Sequence, residues 1–369
     1  MLEDGSRSPK TGCDRCGRLP EKLSGPGRLH LWPPLGHTLN KTYRHLRTGG
    51  WECQKTQDRA VVVRLDEDSL SDLLSSLSDA LTSREMDDTR ALFKPHPDEL
   101  STSDIPRARS LSQLSSLGRS EWLLDMLSEE RLTSFFQPIV RTDAPDEIFA
   151  QECLLRGVGR DGEFVPPGAI FEAARESDML FQTDLAARLT AIREALRHGI
   201  EGNLFVNFTP TAVYDPVFCL RSTVQAVEQS GIPGENVVFE VTETEEVADT
   251  GHLENIVDYY RGKGFRVALD DMGSGYSSLN MIHRLRPDFI KLDMQLTRGV
   301  DTDPYKAVVA GKILEMAQSL RVQTIVEGVE TAEELAWARE RGATFVQGFL
   351  IARPASPPRK SLDAPLHPN

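Results

Sequence analysis

The chain has 369 residues, enough for one large domain with a smaller appendage or for two mid-sized ones. Its hydrophobic fraction of 39% and charged fraction of 27% are ordinary for a soluble globular protein. A net charge of −14 argues against broad nucleic-acid binding, because no wide surface would neutralise phosphates, but it leaves room for a small phosphate ligand held through a metal.

The first residues lack the basic-then-apolar pattern of a signal peptide. No apolar run approaches the ~20 residues that a membrane helix requires, so no membrane association is expected. Five cysteines without an export signal point to reduced thiols, and the expected compartment is the cytoplasm.

In chain order, Cys13 and Cys16 form a Cys-X-X-Cys half-motif of zinc-knuckle type. Cys53 with His37 or His45 would complete a structural zinc site; the competing reading is a pair of unmetallated surface thiols. Residues 60–65 read as a strand. Leu70, Leu73, Leu74, Leu77 and Leu81 recur at helical spacing and predict a helix starting near Ser69. A polar stretch with Pro95, Pro97 and Pro106 reads as a linker. Leu111, Leu114, Leu117, Trp122, Leu123 and Leu127 then suggest another amphipathic segment. Such stripes pack against the main domain or a second subunit, which leaves a homodimer open. The expected division is a zinc-knuckle-like lead-in at 1–58, a small α/β or helical regulatory segment at 59–130, a main domain at 131–354 and a disordered tail at 355–369.

From about residue 132 short apolar strands alternate with helical stretches, the pattern of an α/β sheet or barrel. The strand candidates are 135–140, 150–156, 204–207, 237–242, 266–270, 289–292, 324–326 and 345–348. Eight strands with intervening helices favour a closed barrel over an open sheet. Nearly every one carries a polar group at or near its end: Glu152, Asn207, Glu240, Lys291, Glu327 and Gln347, with Arg156 sharing the parity of Glu152. One such residue is usually a cap or turn. So many at one end of one barrel read as an active site, because barrel enzymes build their sites there.

The stretch 267–279 carries the strongest signal: an apolar strand ending in adjacent carboxylates, Asp270 and Asp271, before a loop punctuated by Gly273 and Gly275. Neighbours on a strand face opposite ways, so both acids serve one site only if the backbone turns, which the glycines permit. Glu152, Asn207, Glu240, Asp270, Asp271 and Glu327 are hard oxygen donors suited to Mg²⁺ or Mn²⁺, with no histidine among them. Converging acids without a cation repel strongly, and a metal pair is typical of phosphoester cleavage. Lys291 and Arg156 would then handle a phosphate or the attacking water.

The series Phe136-Gln-Pro-Ile-Val140, Gln151-Glu-Cys-Leu-Leu-Arg156, Asn207, Glu240-Val-Thr-Glu243, Asp270 to Leu279, Ile290-Lys-Leu-Asp293, Glu327-Gly-Val-Glu330 and Gln347-Gly-Phe closely resembles the EAL-domain cyclic-di-GMP phosphodiesterases over residues 132–354. The resemblance implies a (β/α)8 TIM-like barrel that uses two Mg²⁺ or Mn²⁺ ions to open cyclic-di-GMP into linear pGpG in bacterial second-messenger signalling. It implies that Glu152, Asn207, Glu240 and Asp270 hold one ion and that Asp270 bridges to a second, completed by Asp271 and Glu327. Lys291 would orient the attacking water, with Glu327 doubling as its general base. Glu243 would anchor the loop after Asp271, Glu330 and Gln347 would support the site, and Arg156 would contact a ligand phosphate. The sequence departs from the family at Cys153, where alanine is usual, and at Met272 and Ser274, where Phe and Thr are usual; neither change removes a ligand. By parity Cys153 points away from Glu152 and packs as a small hydrophobe. The alternative function is a non-catalytic cyclic-di-GMP receptor or protein-interaction module on the same barrel.

Overall fold

A computed structural model describes residues 18–362 apart from 68, 96–99, 243–249 and 274–277. The chain divides into two compact units. One comprises Arg18–Arg131 with Gly168–Thr183; the other comprises Leu132–Pro167 and the chain from Asp184 on. Among the described residues no helix is long and apolar enough to cross a membrane.

The first unit is built on β1 (Gly27–Trp32), β2 (Cys53–Lys55), β3 (Val61–Leu65), β4 (Arg90–Pro95) and β5 (Arg109–Ser110). They form one antiparallel sheet in the order β2-β3-β1-β4-β5. Helix Gly36–Thr48 connects β1 to β2, and helix Ser69–Ala80 follows β3. This is the ferredoxin-like split βαβ arrangement with a fifth strand added. Leu29 and Leu31 of β1, Val61, Val63 and Leu65 of β3 and the helical Leu70, Leu73, Leu74 and Leu77 share one core.

The expected boundary near residue 58 therefore falls inside a single sheet. β1 announces itself only by the alternation of Leu29 and Leu31 with polar neighbours, just ahead of Pro33 and Pro34. The stretch expected to be a linker also differs: Asp104 within it is buried and pairs with Lys94 at 3.1 Å. Of the expected zinc ligands, Cys13 and Cys16 lie outside the described residues. Cys53 stands on β2 packed against the core, and burial raises its thiol above the usual value. His37 is exposed, and His45 contacts the Ser76 hydroxyl through Nε2 at 2.8 Å.

The second unit holds β6 (Leu132–Arg141), β7 (Ile148–Val158), β8 (Phe164–Val165), β9 (Asn203–Asn207), β10 (Val237–Thr242), β11 (Arg266–Met272), β12 (Phe289–Leu292), β13 (Gln323–Val326) and β14 (Phe345–Val346). The order β6-β14-β13-β12-β11-β10-β9-β7 closes through a β6–β7 pairing into an eight-stranded barrel, with β8 as an annex on β7. β7 and β9 to β14 run parallel, but β6 is antiparallel to both its neighbours. The predicted barrel is present, with its first strand inverted because β6 and β7 are joined by a hairpin too short for a crossover helix.

Two apolar layers hold the barrel. Outside it, Phe239 of β10 stacks on Tyr260 of helix Thr250–Gly262 at 3.9 Å and 13°, with Phe208 and Phe265 set edge-on. Phe239→Ala should cost about 3–5 kcal/mol, since the strand and helix it joins cannot close the void; urea titration of the full chain checks this. Inside, Ile139, Ala150, Phe205, Val238, Ala268, Phe289, Ile325 and Phe345 form a plug with one side chain from each of the eight strands.

Residues expected in a disordered tail continue this fold. Ala355 exchanges two backbone hydrogen bonds with Phe136, and the Arg359 carbonyl accepts one from Gln151 Nε2 at 3.0 Å. Residues 363–369 lie outside the described chain.

Candidate metal centre at the barrel mouth

The polar layer follows from the plug by strand periodicity. Two residues beyond Ala150, Phe205, Val238, Ala268, Phe289, Ile325 and Phe345 stand Glu152, Asn207, Glu240, Asp270, Lys291, Glu327 and Gln347. On the inverted β6 the same level is reached two residues before Ile139, at Gln137. Each strand thus contributes one polar side chain to a ring directly above an apolar floor. The sequence reading did not assign Gln137 a role, because it precedes its plug residue rather than following it.

Lys291 occupies the centre and is almost wholly buried. Its Nζ lies 2.7 Å from Glu240, 2.7 Å from Glu327, 3.2 Å from Asp270 and 3.4 Å from Glu152. Burial disfavours the ammonium, but the four carboxylates outweigh it and raise Lys291 well above its usual value. The acids are less well served. Burial raises Glu240 and Glu327 well above, and Asp270 above, their usual values, with neighbouring acids adding to the effect against the attraction of Lys291. Asp271 is pushed up to about 6 by burial and by Asp270.

The paired aspartates reach one site by a device the sequence did not suggest. The register of β11 against β12 shifts between Leu269 and Met272, and Asp271 itself adopts a left-handed backbone with φ of 56°. The bulge turns Asp271 onto the side of Asp270, whose Oδ1 accepts the Asp271 N–H at 2.9 Å. Gly273 also has positive φ, but it follows the turn; Gly275 and Ser274 lie outside the described residues. Gly328, after Glu327, has φ of 68°, and a Cβ there would meet Met294 Cβ at 2.5 Å, so the turn that presents Glu327 requires glycine.

Two groups of acids fit a cation. Glu152, Glu240 and Asp270 bring one carboxylate oxygen each to within 4.8 Å of one another, and so do Asp270, Asp271 and Glu327. Asp270 belongs to both. Glu240 Oε2 is buried without a hydrogen-bond partner among the described residues, an uncompensated acceptor that a cation would satisfy. An all-oxygen donor set matches a hard divalent ion.

Asn207 leans on this ring, its Nδ2 donating to Glu152 Oε1 at 3.5 Å. Gln347 Nε2 donates to Glu152 Oε2 at 2.5 Å and to Gln137 Oε1 at 3.2 Å, while Gln137 Nε2 donates to the Ala352 carbonyl at 3.2 Å. That chain of amides fixes the Glu152 carboxylate. Arg156 stands on β7 with its guanidinium over the Phe135 ring at 5.2 Å and bonded to the Leu155 carbonyl. Glu330 pairs with Arg298 at 2.5 Å rather than with the ring. Glu243 lies outside the described residues. Cys153 is buried in the outer core, and Met272 is buried in a cluster with Leu269, Ile282 and Ile290.

The second unit is thus an eight-stranded barrel with an acidic mouth centred on one lysine. The chain belongs to the EAL domain family, whose family model matches residues 120–354. It is similar to the cyclic di-GMP phosphodiesterase RocR of Pseudomonas aeruginosa, 30% identical over 256 residues that make up 68% of this chain and 64% of that protein. It is also similar to the probable cyclic di-GMP phosphodiesterase PdeG of Escherichia coli, 28% identical over 245 residues, 64% of this chain and 47% of that one. The chain spans less than two thirds of the length of these relatives. Among solved structures, a standalone versatile EAL protein from Vibrio cholerae, bound to c-di-GMP, superposes with a TM-score of 0.57 at 35% identity, covering 63% of this chain and 95% of that one.

Proposed function

We propose that this barrel hydrolyses cyclic-di-GMP to linear pGpG. The observation that carries the reading is the pair of acidic triads sharing Asp270, set beside a lysine in a ring above an apolar floor. The cyclic-di-GMP phosphodiesterase names of the relatives and the ligand of the Vibrio protein supply the substrate class. Glu152, Asn207, Glu240 and Asp270 would hold one Mg²⁺ or Mn²⁺, and Asp270, Asp271 and Glu327 a second. Such ions neutralise phosphate charge and lower the pKa of water.

The side chains divide the remaining work. Lys291, held charged by its four carboxylates, orients the attacking water by donating from Nζ. Glu327 stands at the more open triad, where it can accept the proton that water gives up. Arg156, half-buried at the mouth, offers a bidentate donor to a phosphate. Gln137 and Gln347 keep Glu152 in place.

The test is purified full chain with cyclic-di-GMP and Mg²⁺ or Mn²⁺, with products followed by chromatography. Appearance of pGpG is the expected result. Binding without turnover in both metals would make the barrel a receptor instead. Calcium should inhibit, because it takes the same oxygens but prefers a larger and looser shell than the octahedron Mg²⁺ demands. Equal turnover rates in Ca²⁺ and Mg²⁺ would contradict this assignment of ligands.

A further inference from the structure

The sheet of the N-terminal unit has a second face. Leu29, Leu31, Val61, Val63, Leu65, Ala91 and Phe93 point into the core. Side chains alternate along a strand, so Arg28, His30 and Trp32 of β1, Val62 and Arg64 of β3, and Arg90, Leu92 and Lys94 of β4 point the other way. None of these eight positions carries a carboxylate, in a chain with 56 acidic residues against 42 basic ones.

Register places Arg64, Arg28 and Lys94 side by side in one row across three strands. Like charges directly opposite one another destabilise a sheet, so strand pairing does not account for Arg28 standing opposite Arg64. Lys94 is answered by Asp104 at 3.1 Å, and Arg64 only loosely by Glu52 at 3.8 Å, both of these largely exposed. Among the described residues no carboxylate forms an ion pair with Arg28.

Beside the row, the rings of His30 and Trp32 stack at 5.8 Å and 16°. Burial, with Arg28 and Lys94 nearby, holds His30 below its usual value against the pull of Asp58 and Asp104, so the imidazole is a neutral aromatic at pH 7. A cleft of about 530 Å³ opens on this part of the sheet, lined by Arg28, Glu52, Gln54, Val62, Arg64 and Asp66 among others. That volume is in the range of small-molecule sites. Its chemistry is mixed: two guanidiniums for an anion, carboxylate and amide acceptors for hydroxyl or amino groups, and Val62 as an apolar contact, with His30 of the stacked pair directly across the strand pairing from Val62. A bare phosphate would meet Glu52 and Asp66 unfavourably, whereas a nucleotide presents an anion, ribose hydroxyls and a base together.

We propose that this sheet face, at the cleft beside Arg28 and Arg64, binds a nucleoside phosphate. The phosphate lies across Arg28 and Arg64, the ribose hydroxyls donate to Glu52 or Asp66, and the base rests against Val62 and the His30–Trp32 pair. The site belongs to the N-terminal unit and does not depend on the activity of the barrel.

Calorimetric titration of the full chain in EDTA tests it, with AMP, GMP, ATP, inorganic phosphate and an eight-nucleotide single-stranded RNA as probes. At least one mononucleotide should bind saturably below 1 mM. Arg28→Gln/Arg64→Gln should weaken that binding about tenfold or more and Trp32→Leu about threefold or more, while Glu327→Gln leaves it unchanged. Circular dichroism should match for all; the single Arg28→Gln variant decides the matter if the double variant does not fold. The proposal is overturned if no mononucleotide binds at millimolar concentration or if the arginine variants bind as well as wild type. It is equally overturned if phosphate alone binds as tightly as any nucleotide, or if only the RNA binds.

Discussion

Asp270→Asn and Glu327→Gln should each lower steady-state hydrolysis of cyclic-di-GMP by at least about 10²–10⁴-fold, the range set by loss of a positioned acid–base group. Asp270 belongs to both triads, so its neutral amide removes charge from two cation sites at once. Glu327 supplies a ligand and the proton acceptor together. Neither substitution should harm the fold. Burial and neighbouring acids raise Asp270 and Glu327, which means that ionising them costs stability above the unfolded carboxylate value of about 4. At neutral pH the metal-free Asp270→Asn protein should therefore melt at the same temperature as wild type or higher. Glu163→Gln, on an exposed loop outside the ring, is the control and should change neither quantity. Near-native turnover in Asp270→Asn or Glu327→Gln would remove the basis for the metal assignment. A fall in melting temperature for metal-free Asp270→Asn would show that the ring is stabilised by this acid rather than strained by it.

The barrel was legible because its signals are local. Short apolar runs such as 237–241 and 289–292 need no partner to identify them as strands, and a polar residue two positions past a buried one is a pattern within a single segment. What remained hidden depends on chain direction and backbone conformation. Gln137 reaches the ring only because β6 runs against its neighbours, and nothing in Phe-Gln-Pro-Ile reveals that inversion. The turn at the paired aspartates was expected from glycine, but a non-glycine residue, Asp271, takes the left-handed conformation and forms the bulge. In the N-terminal unit β2 and β5 have three and two residues, too short for any periodicity to register. Without them β1 looked like part of a lead-in rather than the middle of a sheet.

Lys291→Met should have the opposite signature to Asp270→Asn in the metal-free protein. The lysine is the cation within reach of Glu152, Glu240, Asp270 and Glu327, and removing one partner of a buried ion pair costs about 3–5 kcal/mol because the remaining charges are left uncompensated. Its own value is raised in the folded state, so its contribution is complete below the unfolded lysine value of about 10.4 and is fully present at pH 7. The penalty should shrink in two ways. As pH falls, the raised carboxyl groups of Glu240, Glu327 and Asp270 take up protons before ordinary carboxylates do, and the charges that Lys291 offsets disappear. At pH 7, millimolar Mg²⁺ or Mn²⁺ should restore much of the lost melting temperature by supplying a cation to the same acids. Turnover should stay low even when metal restores the fold, since methionine cannot orient the attacking water. Differential scanning calorimetry in EDTA and in Mg²⁺ at pH 5, 7 and 8, beside hydrolysis at pH 8, separates these effects. A variant that melts with wild type in EDTA at pH 8 would mean that Lys291 does not balance the acidic ring, and one that turns over cyclic-di-GMP normally would remove it from the chemistry.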